Sequence, residues 1–388
     1  MTNADKSLRI AILAHSTNPR GGVVHALELA NGLARLGHEA VVHAPDPKNA
    51  GFFRETLTEP VCIPASPTAG LDVAQMVEAR IADYVRHFEA PQNRGFNIFH
   101  AQDSISGNAL AVLKKRGLID KFARTVHHID SFRDDRLKDW QAHSIAEADE
   151  LFVVSRFWRD KISDDFDRRA TLVGNGVDLT RFSSLASGTE QTLRERLSLS
   201  GGPILLCVGG IEERKNTNRI LAAFQQIQTI HRDAQLVIAG GASLLDHSGY
   251  RRDFESMLSG EHLTRSVHPI GLVPDIDMPV LYRLADVLVF PSVKEGFGLA
   301  VLEAMASGLP VVTSRIEPFT EYLSEDDAVW CDPLSVASIA NAIATSLSEP
   351  LRSRLVRRGR TVAEQHDWTA TARAHLPVYE NLLELQHA

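Results

Sequence analysis

The stretch that decides the fold is DVLVFPSVKEGFGLAVLEAMASGLPVVTS, residues 286–314. It opens and closes with the apolar runs VLVFPS and LPVVTS, whose continuous Val and Leu content is typical of parallel strands covered on both faces. Between them lie a glycine turn, EGFGL, and an apolar helix, AVLEAMAS. This order predicts a ligand site at the carboxyl end of a strand in an open α/β sheet.

Two carboxylates flank the glycine turn. Glu295 lies in the turn, and Glu303 lies in the helix four residues after Leu299, on the same helical face. Helical side chains lean toward the N-terminus of their helix, so Glu303 points back toward the turn. Burying a carboxylate on an apolar helix is costly unless it is paired or binds a ligand. We therefore expect both acids to face one pocket; the alternative for each is an ordinary surface position.

Short apolar runs alternate with helical patterns along the rest of the chain. Buried strands are predicted at 9–14, 39–44, 97–101, 123–128, 150–155, 204–210, 235–241, 267–273, 286–292 and 309–314. A Ser- and Gly-rich stretch interrupts the alternation between the fifth strand and the sixth. We predict an α/β protein with two doubly wound Rossmann-like domains. Their bounds are an N-terminal domain at 1–183, a linker at 184–203, a second domain at 204–365 and a C-terminal helix at 366–388.

Composition excludes several classes of protein. A net charge of -8 argues against nucleic acid as the partner. Scattered cysteines (Cys62, Cys207 and Cys331) fit free thiols, and we expect a cytoplasmic location. No apolar run approaches the roughly 20 residues needed for a transmembrane segment. The basic segments 155–162 and 351–360 are expected to be solvated helix faces, with peripheral membrane contact as the alternative.

Two further glycine turns precede predicted helices. Gly22 follows Arg20 and Gly21 directly before a long helix, where free amides attract anions. In VGGIEERKN, residues 208–216, Gly210 follows a strand and Lys215 stands where a helix begins, which suits a diphosphate clamp. The alternatives are a packing turn in the first case and solvated surface charges in the second.

Histidines and acids end two predicted strands. His100 and Asp103 follow one strand, and His127, His128 and Asp130 follow another. The ends of parallel strands are where pocket residues lie; the alternative is that each histidine is a satisfied core or loop residue. Their spacings match no metal-binding helix, so we predict no metal. The chain has no GxSxG elbow, which disfavours a covalent hydrolase.

The order of these segments, with NGVD at 175–178 and DWTATA at 367–372, resembles glycosyltransferase family 4 over nearly the whole chain. The resemblance implies the GT-B fold: two Rossmann-like domains that face a central cleft, with the C-terminal helix crossing back to the N-terminal domain. The N-terminal domain would then hold the acceptor side and the second domain the donor. The resemblance also implies a nucleotide-sugar donor and retention of anomeric configuration.

Site residues can be carried over from the family one position at a time. Glu295 would contact the donor sugar, Lys215 would neutralise the donor diphosphate, and His127 would lie near the transferred sugar; these are the implied catalytic residues. The implied donor-binding residues are Gly22, Gly210, Arg214, Lys215, Val273, Glu295, Phe297, Gly298, Leu299 and Glu303. The acceptor-side candidates are His100, Asp103, His128 and Asp130.

The chain departs from the family pattern at Gly210, where many members have an arginine. Arg214 is the candidate substitute. The function implied is a retaining, metal-independent hexosyltransferase that moves a sugar from a UDP- or GDP-linked donor to a small-molecule, lipid or glycan acceptor. No cofactor is expected, since the nucleotide sugar is a substrate. The alternatives are a GT-B nucleotide-sugar epimerase or phosphorylase, and a non-catalytic nucleotide-sugar-binding protein.

Overall fold

A computed structural model of the chain describes residues 7–241, 248–258 and 261–384. The chain divides into two compact units. The first consists of Met1–Gly176 together with Trp368–Ala388, and the second of Val177–Asp367.

The first unit is a parallel sheet with helices on its faces. Its strands are β1 (Arg9–Leu13), β2 (Glu39–Asp46), β3 (Val61–Pro64), β4 (Ile98–Ala101), β5 (Ala123–Val126), β6 (Glu150–Val153) and β7 (Thr171–Leu172), in the spatial order β3-β2-β1-β4-β5-β6-β7. Its helices are α1 (Gly21–Arg35), α2 (Val73–Glu89), α3 (Ser104–Lys115), α4 (Asp135–Ala146), α5 (Arg156–Phe166) and, from the end of the chain, α15 (Trp368–Glu384).

The second unit repeats this plan. Its strands are β8 (Ile204–Val208), β9 (Gln235–Ala239), β10 (Val267–Gly271), β11 (Val287–Phe290), β12 (Val311–Ser314) and β13 (Val329–Cys331), in the order β10-β9-β8-β11-β12-β13. Its helices are α6 (Glu190–Arg196), α7 (Thr217–Gln228), α8 (Ser248–Met257), α9 (Glu261–Ser266), α10 (Met278–Leu284), α11 (Leu299–Ala306), α12 (Phe319–Tyr322), α13 (Val336–Ser346) and α14 (Leu351–Glu364).

The predicted fold class, two doubly wound α/β units, is confirmed. Strands β1 and β11 are buried along almost their whole length, as expected for strands with helices on both faces. In both sheets the strand order reverses beside the first strand, which is the point where open α/β sheets bind ligands at the carboxyl ends of their strands. This places the loops after β1 and β4, and those after β8 and β11, at the candidate sites.

The C-terminal helix packs in the first unit, as predicted. Ala372, Tyr379 and Leu382 of α15 belong to the same buried cluster as Ile10 and Ile12 of β1. Helix α1 packs against α15 closely enough that Gly32 lies directly beneath the backbone of Trp368. The end of the chain therefore completes the core of the unit that its beginning forms.

The segment assigned to a linker, residues 184–203, lies within the second unit and contains α6. Glu190 accepts a hydrogen bond from Arg283 Nε at 2.8 Å, and Leu193 is buried. Its Ser- and Gly-rich composition suggested a joint between domains, but the ion pairs Glu190–Arg283 and Arg196–Asp277, together with the buried Leu193, tie it to the second unit.

Neutral imidazoles occupy the core of the first unit. His100 is hydrogen-bonded through Nδ1 to the Tyr379 hydroxyl at 2.7 Å and through Nε2 to Thr125 Oγ1 at 2.8 Å. The His375 ring lies 4.4 Å from the Phe152 ring between centroids. Burial lowers the pKa of His375 to about 3 and lowers the pKa of His100 well below its usual value. These rings stay uncharged in the folded unit at neutral pH.

Because α1 and α15 are in close contact at Gly32, adding one methyl group there should destabilise the first unit. A Cβ at Gly32 would lie 2.7 Å from the Trp368 carbonyl oxygen and 2.9 Å from Ala372 Cβ. We expect Gly32→Ala to lower the free energy of unfolding by about 1–3 kcal/mol through overpacking, even though alanine favours helices. Gly21→Ala on the same helix meets no atom within 4 Å and serves as the control. Urea denaturation measures both; equal midpoints for the two variants would contradict the packing argument.

The buried imidazoles predict acid sensitivity of the first unit. As pH falls below about 6.5, these histidines take up protons in the unfolded chain but not in the folded unit. The free energy of unfolding is therefore highest above that pH and decreases as pH falls toward the pKa of the folded state. We expect His375→Phe to keep an aromatic ring in this cluster and remove one such proton. The pH dependence of the unfolding free energy between pH about 6.5 and about 4 should then become shallower, by up to about 1.4 kcal/mol per pH unit. Denaturation curves at several pH values measure this slope, and parallel slopes for the two proteins would refute the prediction.

Candidate functional site

A buried ion cluster lies where the loops after β8 and β11 meet, at the carboxyl edge of the second sheet. Lys215 Nζ lies 2.6 Å from Glu295 Oε2, and Arg214 Nη1 lies 2.8 Å from Glu295 Oε1. Lys215 and Glu295 are each only 9% exposed. Each carboxylate oxygen is thus matched to one cation, and the pairing holds two loops from neighbouring strands together.

The charges of the cluster are stabilised by one another. Burial acts to raise the pKa of Glu295, but Lys215 and Arg214 outweigh it and bring the pKa to about 2. Burial lowers the pKa of Lys215, and Glu295 opposes that effect. The Lys215 ammonium also lies over the Phe290 ring, 4.2 Å from its centroid. Glu295 is therefore a fixed negative charge at neutral pH, and the two cations lie beside it.

Backbone contacts fix the geometry of this cluster. The Val293 amide donates to the Arg214 carbonyl at 3.0 Å, and Asn216 Nδ2 donates to the Pro291 carbonyl at 3.0 Å. Asn216 adopts a left-handed conformation at φ 64° between the turn that contains Lys215 and helix α7. The loop from β8 is therefore attached to the loop from β11 at several points, which keeps the cations in place.

Gly210 has a conformation that explains the missing arginine. Its φ is +77°, and a Cβ there would lie 2.8 Å from the Gly241 carbonyl oxygen. A longer side chain at this position would strain the backbone and collide with the loop after β9. Gly210 therefore brings two loops together. Arg214, four residues later, supplies the second cation beside Glu295.

Glu303 has different surroundings from Glu295. It lies on α11, and the Tyr282 hydroxyl donates to its Oε2 at 2.7 Å. Tyr282 is fully buried and packs edge-on against Phe182, 5.8 Å away between centroids. Glu303 is thus held by a phenol rather than by the two cations. The two acids therefore differ in the partners that hold them.

The turn between the two acids is built on aromatic support. Gly298 has φ +97°, and a Cβ there would lie 2.5 Å from the Phe319 ring. The Phe297 ring stacks on Tyr322 at 4.7 Å between centroids, and the Tyr322 hydroxyl donates to the Phe297 carbonyl at 3.2 Å. Leu299 then begins α11. The Phe297 side chain is buried, which leaves the backbone of this turn as the part suited to face a ligand.

Val273 lies in the loop that follows β10. This loop adjoins the other glycine loops, because a Cβ at Gly241 would lie 2.8 Å from Leu272 Cγ. Val273 is half-buried, whereas Leu272 is exposed. The loop is thus placed beside the loop after β9, at the same edge of the sheet as the ion cluster.

In the first unit, Gly22 and His127 are neighbours. A Cβ at Gly22 would lie 3.4 Å from His127 Cδ2, and His127 Nε2 lies 3.0 Å from Gln102 Oε1. Burial lowers the pKa of His127 well below its usual value, and the nearby His25 lowers it further. Since an amide oxygen only accepts, this contact places the proton of a neutral His127 on Nε2.

Three residues around His127 were not predicted from the sequence to be site residues. Gln102 contacts His127 directly, and His25 lies 4.8 Å from it between ring centroids. Asn175 Oδ1 in turn accepts from His25 Nδ1 at 2.6 Å. Asn175 begins the NGVD segment, which could have signalled it; Gln102 and His25 carry no such signal, because only the fold brings them to the ring.

The acceptor-side candidates do not form one group. His100 is fully buried among Thr125 and Tyr379, so it is a core residue and the prediction that it faces an acceptor is wrong. Asp103 caps α3 by accepting from the Ser106 amide at 2.9 Å. His128 Nε2 lies 3.2 Å from Asp130 Oδ2, with both side chains partly exposed. Only the last pair lies open at the strand ends.

The basic segments are ion-paired helix faces. On α14 the pairs are Arg352–Asp286, Arg354–Asp326, Arg358–Asp327 and Arg360–Glu364. On α5, Lys161 pairs with Asp165 at 2.9 Å. These pairs favour solvated faces over an unneutralised basic surface.

None of the helices in the described ranges is long and apolar enough to cross a bilayer. The same ranges contain no cluster of three or more His, Cys, Asp or Glu side chains suited to a metal ion.

Comparison with known proteins finds matches in both halves of the chain. The family model described as Glycosyltransferase Family 4 matches residues 19–181, and the model described as Glycosyl transferases group 1 matches residues 189–362. A glycosyltransferase of Methanocaldococcus jannaschii, itself uncharacterized, is 25% identical over 97% of this chain and 99% of its own length. The D-inositol 3-phosphate glycosyltransferase of Xylanimonas cellulosilytica is 28% identical over 96% of both chains.

Among solved structures, the sucrose-phosphate synthase of Thermosynechococcus elongatus is similar with a TM-score of 0.80 and 23% identity, over 97% of this chain and 100% of that chain. At this identity the similarity concerns the fold. The two family models together match most of the chain, one in each half. The chain belongs to glycosyltransferase family 4 and is a glycosyltransferase of the GT-B type.

Proposed function

We propose that this glycosyltransferase transfers a hexose from a nucleotide-diphosphate sugar, UDP- or GDP-linked, to a small-molecule, lipid or glycan acceptor with retention of configuration. The observation that carries the proposal is the cluster of Lys215, Arg214 and Glu295 at the carboxyl edge of the second sheet. Glu295 lies on the glycine-turn segment that also bears Glu303. Two cations beside a backbone turn suit a diphosphate, and two acids suit hydroxyl groups.

Each group then has a role in the transfer. The bond between the sugar anomeric carbon and the phosphate oxygen breaks, and its electron pair stays on the leaving diphosphate. Lys215 and Arg214 stabilise that developing charge, which is where preorganised cations act most strongly. The acceptor hydroxyl attacks the same face of the sugar, and its proton passes to the departing phosphate oxygen. No protein nucleophile and no resident cofactor enter this scheme.

The remaining site residues bind and orient. Glu303 accepts hydrogen bonds from the ribose, while Tyr282 holds its carboxylate in place. Amides of residues 297–299 contact the sugar and phosphate, and the loop containing Val273 receives the base. His127, neutral and protonated on Nε2 toward Gln102, lies near the transferred sugar. The backbone of Gly22, beside His127 at the start of α1, binds the donor phosphate.

A donor and acceptor panel tests this function. We expect one UDP-, GDP- or ADP-sugar to raise the melting temperature at millimolar concentration, since a ligand at about 100 times its Kd stabilises by about 2.7 kcal/mol. The same donor should release nucleoside diphosphate when an acceptor is supplied. The acceptor panel includes D-inositol 3-phosphate, after the relative named for it, together with sugars and lipids. NMR of the product reads the anomeric configuration. A protein that binds no donor, or that inverts the sugar, would contradict the proposal.

Glu303 allows a sharper test of the donor site. Glu303→Gln preserves the shape of the side chain and removes the charge that accepts from ribose. We expect the Kd for the donor to rise about tenfold or more, the usual range for a hydrogen bond to a charged group. Glu364→Gln in the same unit, which disrupts only the exposed pair with Arg360, is the matched control. Titration calorimetry compares the variants, and a donor affinity unaffected by Glu303→Gln would remove Glu303 from the site.

A further inference from the structure

Glu295 binds both candidate phosphate-binding cations at once. Its Oε2 lies 2.6 Å from Lys215 Nζ and its Oε1 lies 2.8 Å from Arg214 Nη1. The Gly296 amide also donates to Oε1 at 3.2 Å, and Ser292 Oγ lies 3.4 Å from Oε2. Two cations, a backbone amide and a hydroxyl around paired anionic oxygens are the partners that a phosphate group takes in proteins.

We infer that Glu295 is an internal substitute for the donor phosphate and neutralises Lys215 and Arg214 when no donor is bound. Glu295 thereby makes the site select a nucleotide sugar over a free nucleoside diphosphate or pyrophosphate. This inference rests on the proposed function, because it presumes that the two cations receive the donor diphosphate. It adds a specificity role that contact with the sugar alone does not require.

The charges of the cluster explain how a free phosphate is disfavoured. Lys215 and Arg214 carry two positive charges, and two buried acids oppose them: Glu295 and Glu212, whose Oε2 lies 3.9 Å from Arg214 Nη2. Together with Glu212, the cluster has no net charge. A phosphate gains the attraction of the cations only by loosening them from Glu295, and it then lies beside an unneutralised carboxylate in a poorly solvated position.

A sugar changes this balance. An ionised carboxylate only accepts hydrogen bonds, and sugar hydroxyls are donors. When the donor diphosphate takes the cations, the sugar hydroxyls provide Glu295 with new partners. A free nucleoside diphosphate provides none, so Glu295 competes with it for Lys215 and Arg214. After transfer, the same competition favours release of the product.

The variant Glu295→Gln tests the inference through a gain of affinity. The amide keeps the size of the side chain and removes the competing charge. We expect the Kd for the nucleoside diphosphate, and for pyrophosphate used as a probe, to fall about tenfold. The Kd for the nucleotide sugar is expected to stay the same or rise. Titration calorimetry gives all three, and inhibition by the nucleoside diphosphate product should strengthen in parallel. Glu364→Gln is again the control and should change none of these constants.

Glu295→Gln leaves Lys215 buried without its partner charge, which destabilises the folded protein. A second variant therefore provides the test if the first one does not fold. Glu295→Asp keeps the charge but is too short to contact both cations in the same way, and it should raise affinity for the nucleoside diphosphate by a smaller factor, about threefold. Circular dichroism confirms that each variant is folded.

The outcomes separate the two proposals. If the unmodified protein binds neither nucleotide sugars nor nucleoside diphosphates, the proposed donor site is wrong. If the unmodified protein binds both, and the folded variants bind the nucleoside diphosphate equally or more weakly, only the inference about Glu295 is overturned. Tighter binding of the nucleoside diphosphate and pyrophosphate by the variants, without tighter binding of the sugar donor, supports it.

Discussion

The second unit depends on one electrostatic constraint: a carboxylate buried at the edge of a parallel sheet must be paired. Glu295 meets this constraint with Lys215 and Arg214, which come from the loop of the neighbouring strand. Removing one partner of a buried ion pair usually costs about 3–5 kcal/mol, because the remaining charge is left uncompensated. The pairing therefore serves two purposes. It attaches two loops to each other, and it keeps strong charges ready at the point where the strand order reverses.

The first unit solves the opposite problem. Beside buried ion pairs such as Arg80–Asp83, it buries several imidazoles, and burial keeps these rings uncharged. His100 has both ring nitrogens in hydrogen bonds, to Tyr379 and Thr125, and His127 is held by Gln102. A neutral ring can donate one hydrogen bond and accept another without the cost of burying a charge. The strongest buried ion cluster at the candidate sites thus lies in the second unit, whereas the first unit offers neutral polar groups.

Much of this arrangement could be predicted from the sequence. Every predicted strand is present. Nine of the ten are central strands, which apolar runs specify well because helices cover both of their faces, and the tenth, β10, is an edge strand. The edge strands β3, β7 and β13 were missed; they are short and only partly buried, so they have no comparable apolar signal. The donor-side residues were predicted because family motifs carry them in order. Gln102 and His25 could not be, since their role arises only when strands and helices distant in sequence come together. His100 was assigned to the acceptor because a strand end does not reveal which way its side chain points.

Gly210 illustrates how a local backbone conformation can decide the chemistry of a site. In many family members an arginine follows the first glycine after the strand, and here Gly210 stands in its place. The left-handed φ of Gly210 and the Gly241 carbonyl 2.8 Å from its would-be Cβ leave no room for any side chain. The same conformation lets the loop after β8 lie flat against the loop after β9. The chain then turns toward the loop after β11 and presents Arg214 to Glu295. The backbone at Gly210 therefore accounts for the missing arginine, while Arg214 lies beside Glu295 as a second cation. For that reason, restoring the arginine at position 210 would disrupt the loop packing instead of adding a positive charge.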